Sequence, residues 1–384
     1  SLTNTKSHIF QIRNGSSQIS ISNSSLEGPT ALSSSRYLIY SPTTTEDSLS
    51  ILNNRLHNGY YGIYLYGGDY EKRHIITGNT FTGNFQYCVY LRKFDGLNFS
   101  NNTLNAAYTG NMDIYMYTGS GACTFKRNRI FSDNSNYAWY LGTITNTSPN
   151  STLFENNFIY KAGTGSSAAL VIENVAKINI DFNTVHNATN HSGSVALYTN
   201  NLSTHNIRNN IVYSIAGPAF QNIGTLPAVH NYNAIYSLGP VEAMQNTTTY
   251  ATLAAYASAT GTNANSKAFD PLFINTAGPE ISQFQLNGTG LTIAGITTDI
   301  NGATRTSPPD IGADEFTPPA FDVKMGRIAA PVEGCGLSDE EIVQVALVNM
   351  GSTVASGFDV YFDFAGEVVA ENIGSLQVPP GDTL

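Results

Sequence analysis

Charged side chains are scarce in this sequence. Lys and Arg number 18 and Asp and Glu 28 among 384 residues, a charged share of 12% and a net charge of −10. A duplex nucleic-acid binder needs a basic footprint, and this balance argues against one. Long apolar runs are missing as well: no stretch of 18 or more apolar residues occurs, so no membrane-spanning helix is expected. The seven histidines include no H-E-x-x-H, and no cysteine pair stands at ligand spacing, which removes the common metal motifs. Helical stripes at i, i+3, i+4, i+7 rich in Ala, Leu, Glu and Lys are absent too. What remains is a chain that is 41% apolar, with 22 tyrosines and 34 glycines, and this is not the composition of a disordered polymer.

A repeat dominates residues 51–235. Asn54, Asn79, Asn102, Asn128, Asn157, Asn183, Asn210 and Asn233 are separated by 25, 23, 26, 29, 26, 27 and 23 residues, a drifting period in the solenoid range. Three residues before each stands Ile51, Ile76, Phe99, Phe125, Phe154, Ile180 or Ile207, and only the last repeat differs, with His230. Two residues after each stands Leu56, Phe81, Leu104, Ile130, Ile159, Val185, Val212 or Ile235. β-Branched and aromatic residues on a two-residue alternation make these short strands.

Each repeat carries a further strand, in "GIYLY" (62–66), "CVYLR" (88–92), "DIYMY" (113–117), "AWYLG" (138–142) and "ALVIE" (169–173). Alternation turns Ile63, Val89, Ile114, Trp139 and Leu170 to one face, beside Leu65, Leu91, Met116, Leu141 and Ile172. One turn of chain per repeat, with strands stacked about 4.8 Å apart, describes an all-β parallel β-helix of about ten coils. The eight asparagines then form an internal ladder, each amide bonding to its neighbours and to turn backbone.

This pattern resembles the right-handed parallel β-helices of the pectin-lyase-like superfamily. Downstream, "FDPLFINTAG" (269–278) and "TTDINGATRTSPPDIGADEF" (297–316) resemble the closing segment of bacterial secreted β-helix proteins. Its D-x-x-G-x-x-R stretch and D-I-G-A-x-E fall at Asp299, Gly302, Arg305, Asp310, Ile311, Gly312, Ala313 and Glu315. The resemblance implies a β-helix over 1–316, closed by about 262–316, and an extracellular or cell-surface bacterial setting. "TPPA" (317–320) reads as a stiff linker. Residues 321–384, especially "CGLSDEEIVQVALVNMG" (335–351), resemble the immunoglobulin-like modules of Bacteroidetes-type secreted proteins. At 64 residues the module is an incomplete sandwich, and further modules of the same polypeptide are expected.

The three cysteines make an odd count. Cys88 and Cys123 fall at different places in neighbouring repeats and read as buried thiols. Cys335 is left free or paired, since the module it resembles can use a paired cysteine. No metal site is expected: His57 and His186 are five coils, about 24 Å, apart. His186 and His191, with Asp181 nearby, read as a solvated polar turn. Calcium is the one cofactor left open, at Asp299, Asp310, Asp314 and Glu315, because hard cations take clustered carboxylates. The competing reading has Arg305 bridging Asp310 or Glu315 and pinning the last coil, since a solenoid must cover its exposed end.

Two functional classes stay open. A lyase needs a cation and a base, and a hydrolase needs two carboxylates. The densest charge lies in "GGDYEKRH" (67–74) and "LRKFDG" (91–96), making Arg92, Lys93, Arg73, Glu71 and Asp95 the catalytic candidates, with Asp69 and Lys72 beside them. Lys126, Arg127 and Arg129 follow at a later coil. Solvated loop ends would look the same. No pectate-lyase, polygalacturonase or alginate-lyase motif matches residue by residue. Tyr64, Tyr90, Tyr115 and Tyr140, flanked by Tyr66 and Tyr117, form an outward column on which sugar rings can dock, or which simply stiffens the sheet. The expectation is a polysaccharide- or glycan-binding, adhesive or spacer module; the alternative is a polysaccharide lyase or glycoside hydrolase.

Overall fold

The computed structural model describes residues 7–30, 36–42, 45–106, 112–133, 136–275, 278–331, 342–364 and 366–384. Each coil gives one strand to each of three parallel sheets. The first sheet has the longest strands, among them Tyr61–Lys72, Tyr87–Asp95, Met112–Ser120 and Tyr137–Thr145. The second is built from short strands such as Ile75–Thr77, Asn98–Ser100 and Thr124–Lys126. The third follows each ladder asparagine, as in Thr80–Thr82 and Thr103–Ala106. The third sheet holds nine strands, so the solenoid has about nine coils. Its interior is filled as alternation requires: Ile63, Val89, Ile114, Trp139 and Leu170 lie in register, and each is 0% exposed.

The corner between second and third sheets explains the doubled asparagines. The residue before each ladder position takes a left-handed backbone, with φ of 53° at Asn53, 70° at Gly78, 56° at Asn101 and Asn156, and 58° at Asn209. Asn and Gly tolerate that region best. Arg127, Phe182 and Tyr232 occupy it in the other coils, with φ of 54°, 56° and 59°, at a cost of about 1–2 kcal/mol each. The ladder then forms from the next residue. Asn79 Nδ2 donates to Asn102 Oδ1 at 3.0 Å and to the Ile51 carbonyl at 2.8 Å, and its backbone N–H reaches the same Oδ1 at 3.0 Å. This geometry repeats from Asn54 to Asn233. Ser24 holds the ladder position in the first coil and donates its N–H to Asn54 Oδ1 at 3.0 Å. Ser266 Oγ ends the series by accepting the Asn233 N–H at 2.9 Å.

Helix α1, Leu253–Thr260, covers the core at the C-terminal end. Its start is capped by Thr252, and Gly261, at φ 67°, ends it. Tyr256 and Leu253 are buried against the last coils.

The closing segment corrects an expectation. Arg305 does bridge Glu315, at 3.1 Å, yet it does not pin the last coil. Residues 269–275 and 278–316 instead contribute to a strap that runs back along the outside of the third sheet. Arg129 Nη2 reaches Asn301 Oδ1 at 2.5 Å, Ala313 N–H reaches Thr184 Oγ1 at 2.9 Å, and Gly312 N–H reaches the Asn209 carbonyl at 2.8 Å. The reason is apolar: the outer side of that sheet presents Phe131, Phe158, Tyr160 and Tyr213, and packing with Phe273, Ile300, Ile311 and Ala313 of the strap buries Phe158 and Tyr213 and covers part of Phe131 and Tyr160. Removing such surface from water is the main favourable term in packing. His186 is part of this interface. It lies in the strand Thr184–Asn187, is 5% exposed and stacks on Phe273 at 4.4 Å, so the solvated-turn reading of this residue fails. Gly312, at φ 107°, sits where a Cβ would come within 2.5 Å of Ile211, which explains the glycine of the D-I-G-A motif.

Beyond the strap lie two small antiparallel sheets, Val323–Ala330 with Gln344–Asn349 and Asp359–Phe364 with Glu367–Asn372, consistent with a partial immunoglobulin-like module. Ala320, at the end of the expected linker, accepts the Thr353 N–H at 3.0 Å. Cys335, and the first part of the run 335–351, fall outside the described residues.

Candidate binding face

The tyrosine column extends further than its sequence signature. Ring centroids lie 4.6 Å apart for Tyr64 and Tyr90, 5.1 Å for Tyr90 and Tyr115, and 5.2 Å for Tyr115 and Tyr140, with interplanar angles of 6°, 24° and 11°. A second column runs beside it, Tyr37 over Tyr61 at 4.9 Å and Tyr61 over Tyr87 at 5.6 Å. The two interlock edge-to-face, at 78° between Tyr61 and Tyr64 and 75° between Tyr87 and Tyr90. Aromatic pairs favour both arrangements. The rings are half-buried, and burial raises the phenol pKa of Tyr61, Tyr64, Tyr90 and Tyr115, the last to about 12. They stay protonated donors at neutral pH. The second column had a signal in the sequence: Y-x-x-Y recurs at 37–40, 61–64, 87–90 and 137–140.

Arg92 belongs to this face. Its guanidinium sits 4.8 Å from the ring of Tyr66 and 5.5 Å from that of Tyr117, a cation–π sandwich, and donates to the Tyr66 hydroxyl at 3.3 Å. The other catalytic candidates do not converge on it. Glu71 turns into the interior, 1% exposed, with its Oε2 3.0 Å from His74 Nε2. Burial raises its pKa, and the His74 bond works against that. Lys93 Nζ is tied to the Gly68 carbonyl at 2.6 Å. Arg73 is exposed at the corner, and Asp95 pairs in register with Lys72.

At its far end the face deepens into a groove of about 280 Å³, lined by Tyr137, Tyr140, Tyr198, Ser166, Ser167 and Glu173, among others. Its floor is apolar, with Ala168, Val171 and Val195 packed against the three rings. The Tyr140 hydroxyl donates to Glu173 Oε1, and burial followed by that carboxylate pushes the phenol pKa up. Glu173 gave no signal in the sequence.

A second, more open cleft of about 480 Å³ lies between the second sheet and the strap. Lys126 pairs with Glu155, and Arg208 holds Asp181 through two bonds of 2.9 and 2.7 Å. Arg127 and Arg129 anchor the strap, on Thr298 and Asn301. These charges are therefore spent on one another and on the strap.

The closing carboxylates are similarly occupied. Asp299 accepts the N–H groups of Asn301, Ala303 and Glu315 at 2.8, 2.8 and 3.0 Å. Asp310 accepts those of Gly288 and Phe316 at 2.6 and 2.7 Å. Burial lifts Asp310 to about 6 and Asp314 to about 7. Among the described residues no group of three or more His, Cys, Asp or Glu is placed to hold a metal. Cys88 and Cys123 are buried, unbridged thiols whose pKa values burial raises. No helix of the described residues is long and apolar enough to cross a membrane.

A family model described as a right handed beta helix region matches residues 2–104 and 69–235, together more than half of the chain. The chain belongs to this family. No curated protein and no solved structure matches it. Within this right-handed β-helix, the tyrosine face lies on the first sheet and the strap on the third.

Proposed function

We propose that this right-handed β-helix is a glycan-binding module of a larger secreted or cell-surface bacterial protein, which holds a polysaccharide along the tyrosine face. The observation that carries this reading is the pair of interlocked tyrosine columns, with ring spacings of 4.6–5.6 Å over the run from Tyr37 to Tyr140. With their faces stacked on one another, the rings leave a strip of apolar edges and protonated hydroxyls, a combination that suits a sugar chain. The small C-terminal sheets suit an incomplete immunoglobulin-like module that would join the solenoid to further parts of the polypeptide.

The alternative is a polysaccharide lyase or hydrolase. A lyase acting in the groove would need a cation near the uronate carboxylate, and a hydrolase a second carboxylate; of the residues lining it, Glu173 alone is charged. Tyr140, with its raised pKa, is a poor base. Glycan-array retention of wild type, Tyr90→Ala and Tyr115→Ala tests the proposal. Each variant should lose up to about tenfold in affinity. A wild type that retains no glycan, or variants that bind as well as wild type, would remove the binding role. Unsaturated product from a uronate polysaccharide would favour the lyase.

A further inference from the structure

We infer that the groove at the far end of the tyrosine face takes a sugar bearing a free ammonium group, a deacetylated amino sugar. The inference rests on the glycan-binding reading above and names the ligand chemistry of that site. Three rings, Tyr137, Tyr140 and Tyr198, surround an apolar floor, with two serine hydroxyls at one wall and a single carboxylate, Glu173. Aromatic faces and a carboxylate around one small space attract a cation by two independent routes, ring quadrupole and charge.

Tyr140 occupies Oε1 of the carboxylate, and among the described residues none donates to Oε2. A neutral acetamide in the same place would leave that oxygen desolvated without a charge partner, which is unfavourable, and a uronate would meet like charge.

The wider face adds polarity. Glu173 and Arg92 stand in one outward column, linked in register through Gly142 and Tyr117. Three coil steps separate them by about 14 Å. A Cβ at Gly142 would meet the rings of Tyr140 and Tyr117 at 2.8 and 3.0 Å, so this glycine leaves both rings in place between the two charges. Arg92 repels an ammonium from its end of the face and Glu173 draws one to the other, which sets a single register for the ligand.

Calorimetric titration with a β-linked glucosamine tetramer and its fully N-acetylated counterpart tests this, at a pH where the amine is protonated. Wild type should bind the free amine about tenfold tighter, and Glu173→Gln should erase that preference. Tyr198→Ala keeps the carboxylate and should weaken both ligands, which guards against a misfolded Glu173→Gln. Equal affinities for the two tetramers, or a preference that survives Glu173→Gln, overturn the inference. Neutral glucans that bind while the glucosamine tetramer does not also overturn it, and leave the glycan-binding reading standing. Silence of every oligosaccharide overturns both.

Discussion

Asn128 passes an amide proton to Asn157 Oδ1 in the next coil, 2.9 Å away, and its own Oδ1 accepts two from Asn102, at 3.0 and 3.1 Å. A second amide proton goes to the Phe99 carbonyl at 3.0 Å. All these groups are buried, and Asn128 is 0% exposed. Asn128→Ala should therefore lower stability by about 2–5 kcal/mol, since several buried donors and acceptors are left unmet at about 1–3 kcal/mol each. Chemical denaturation would show a lower midpoint. Asn128→Asp should be at least as damaging, because a carboxylate has no amide proton to pass on. A midpoint that stays within experimental error of wild type would mean that the ladder is not what holds the coils in register.

This ladder was legible because each coil repeats one environment. A residue type that recurs every 23–29 positions between two apolar neighbours can only face the same surroundings each time. The inward set, from Ile63 to Leu170, followed from two-residue alternation for the same reason. The charged cluster was not legible. The strand Tyr61–Lys72 carries extra residues at 67–70, so that Phe94 pairs with Glu71 while Arg92 pairs with Tyr66. That slip sends Glu71 inward, and no periodicity announces it. The strap was misplaced because chain order suggested the last coil. The deciding fact is the aromatic outer face of the third sheet, where Phe131 and Phe158 come from different coils and meet only in three dimensions.

The strap gives a second prediction. Arg305 is 9% exposed and donates to Asn156 Oδ1 at 2.8 Å and the Gly312 carbonyl at 2.9 Å, while its guanidinium lies 3.9 Å from the ring of Phe182. Removing one member of a buried ion pair typically costs about 3–5 kcal/mol. Because the ladder lies inside the coils and the strap outside them, Arg305→Ala should free the strap without unwinding the solenoid. Hydrogen exchange should rise across residues 288–316 while the strands around Asn102 and Asn128 keep their protection. Uniform loss of protection would show that strap and solenoid unfold as one unit.

Acid should act in part at the C-terminal end. His230 takes the place that Ile or Phe fills in other coils, and neither ring nitrogen has a partner among the described residues. Burial lowers its pKa to about 3, and His205, which adds to that effect, is lowered to about 4. Phe220 and Tyr256 pack against the His230 ring at 4.7 and 5.9 Å, the latter from helix α1. A histidine that must stay neutral when folded, with an unfolded pKa near 6.5, contributes stability that is present above that value. This contribution is lost as pH falls toward the folded pKa values of about 3 and 4. The thermal midpoint should drop steadily from about pH 6.5 downward. His230→Ile, which restores the residue of the neighbouring coils, should raise stability at pH 7 by about 1–3 kcal/mol and flatten the acid limb. A variant whose midpoint falls with acid as steeply as wild type would move the origin of that limb away from His230.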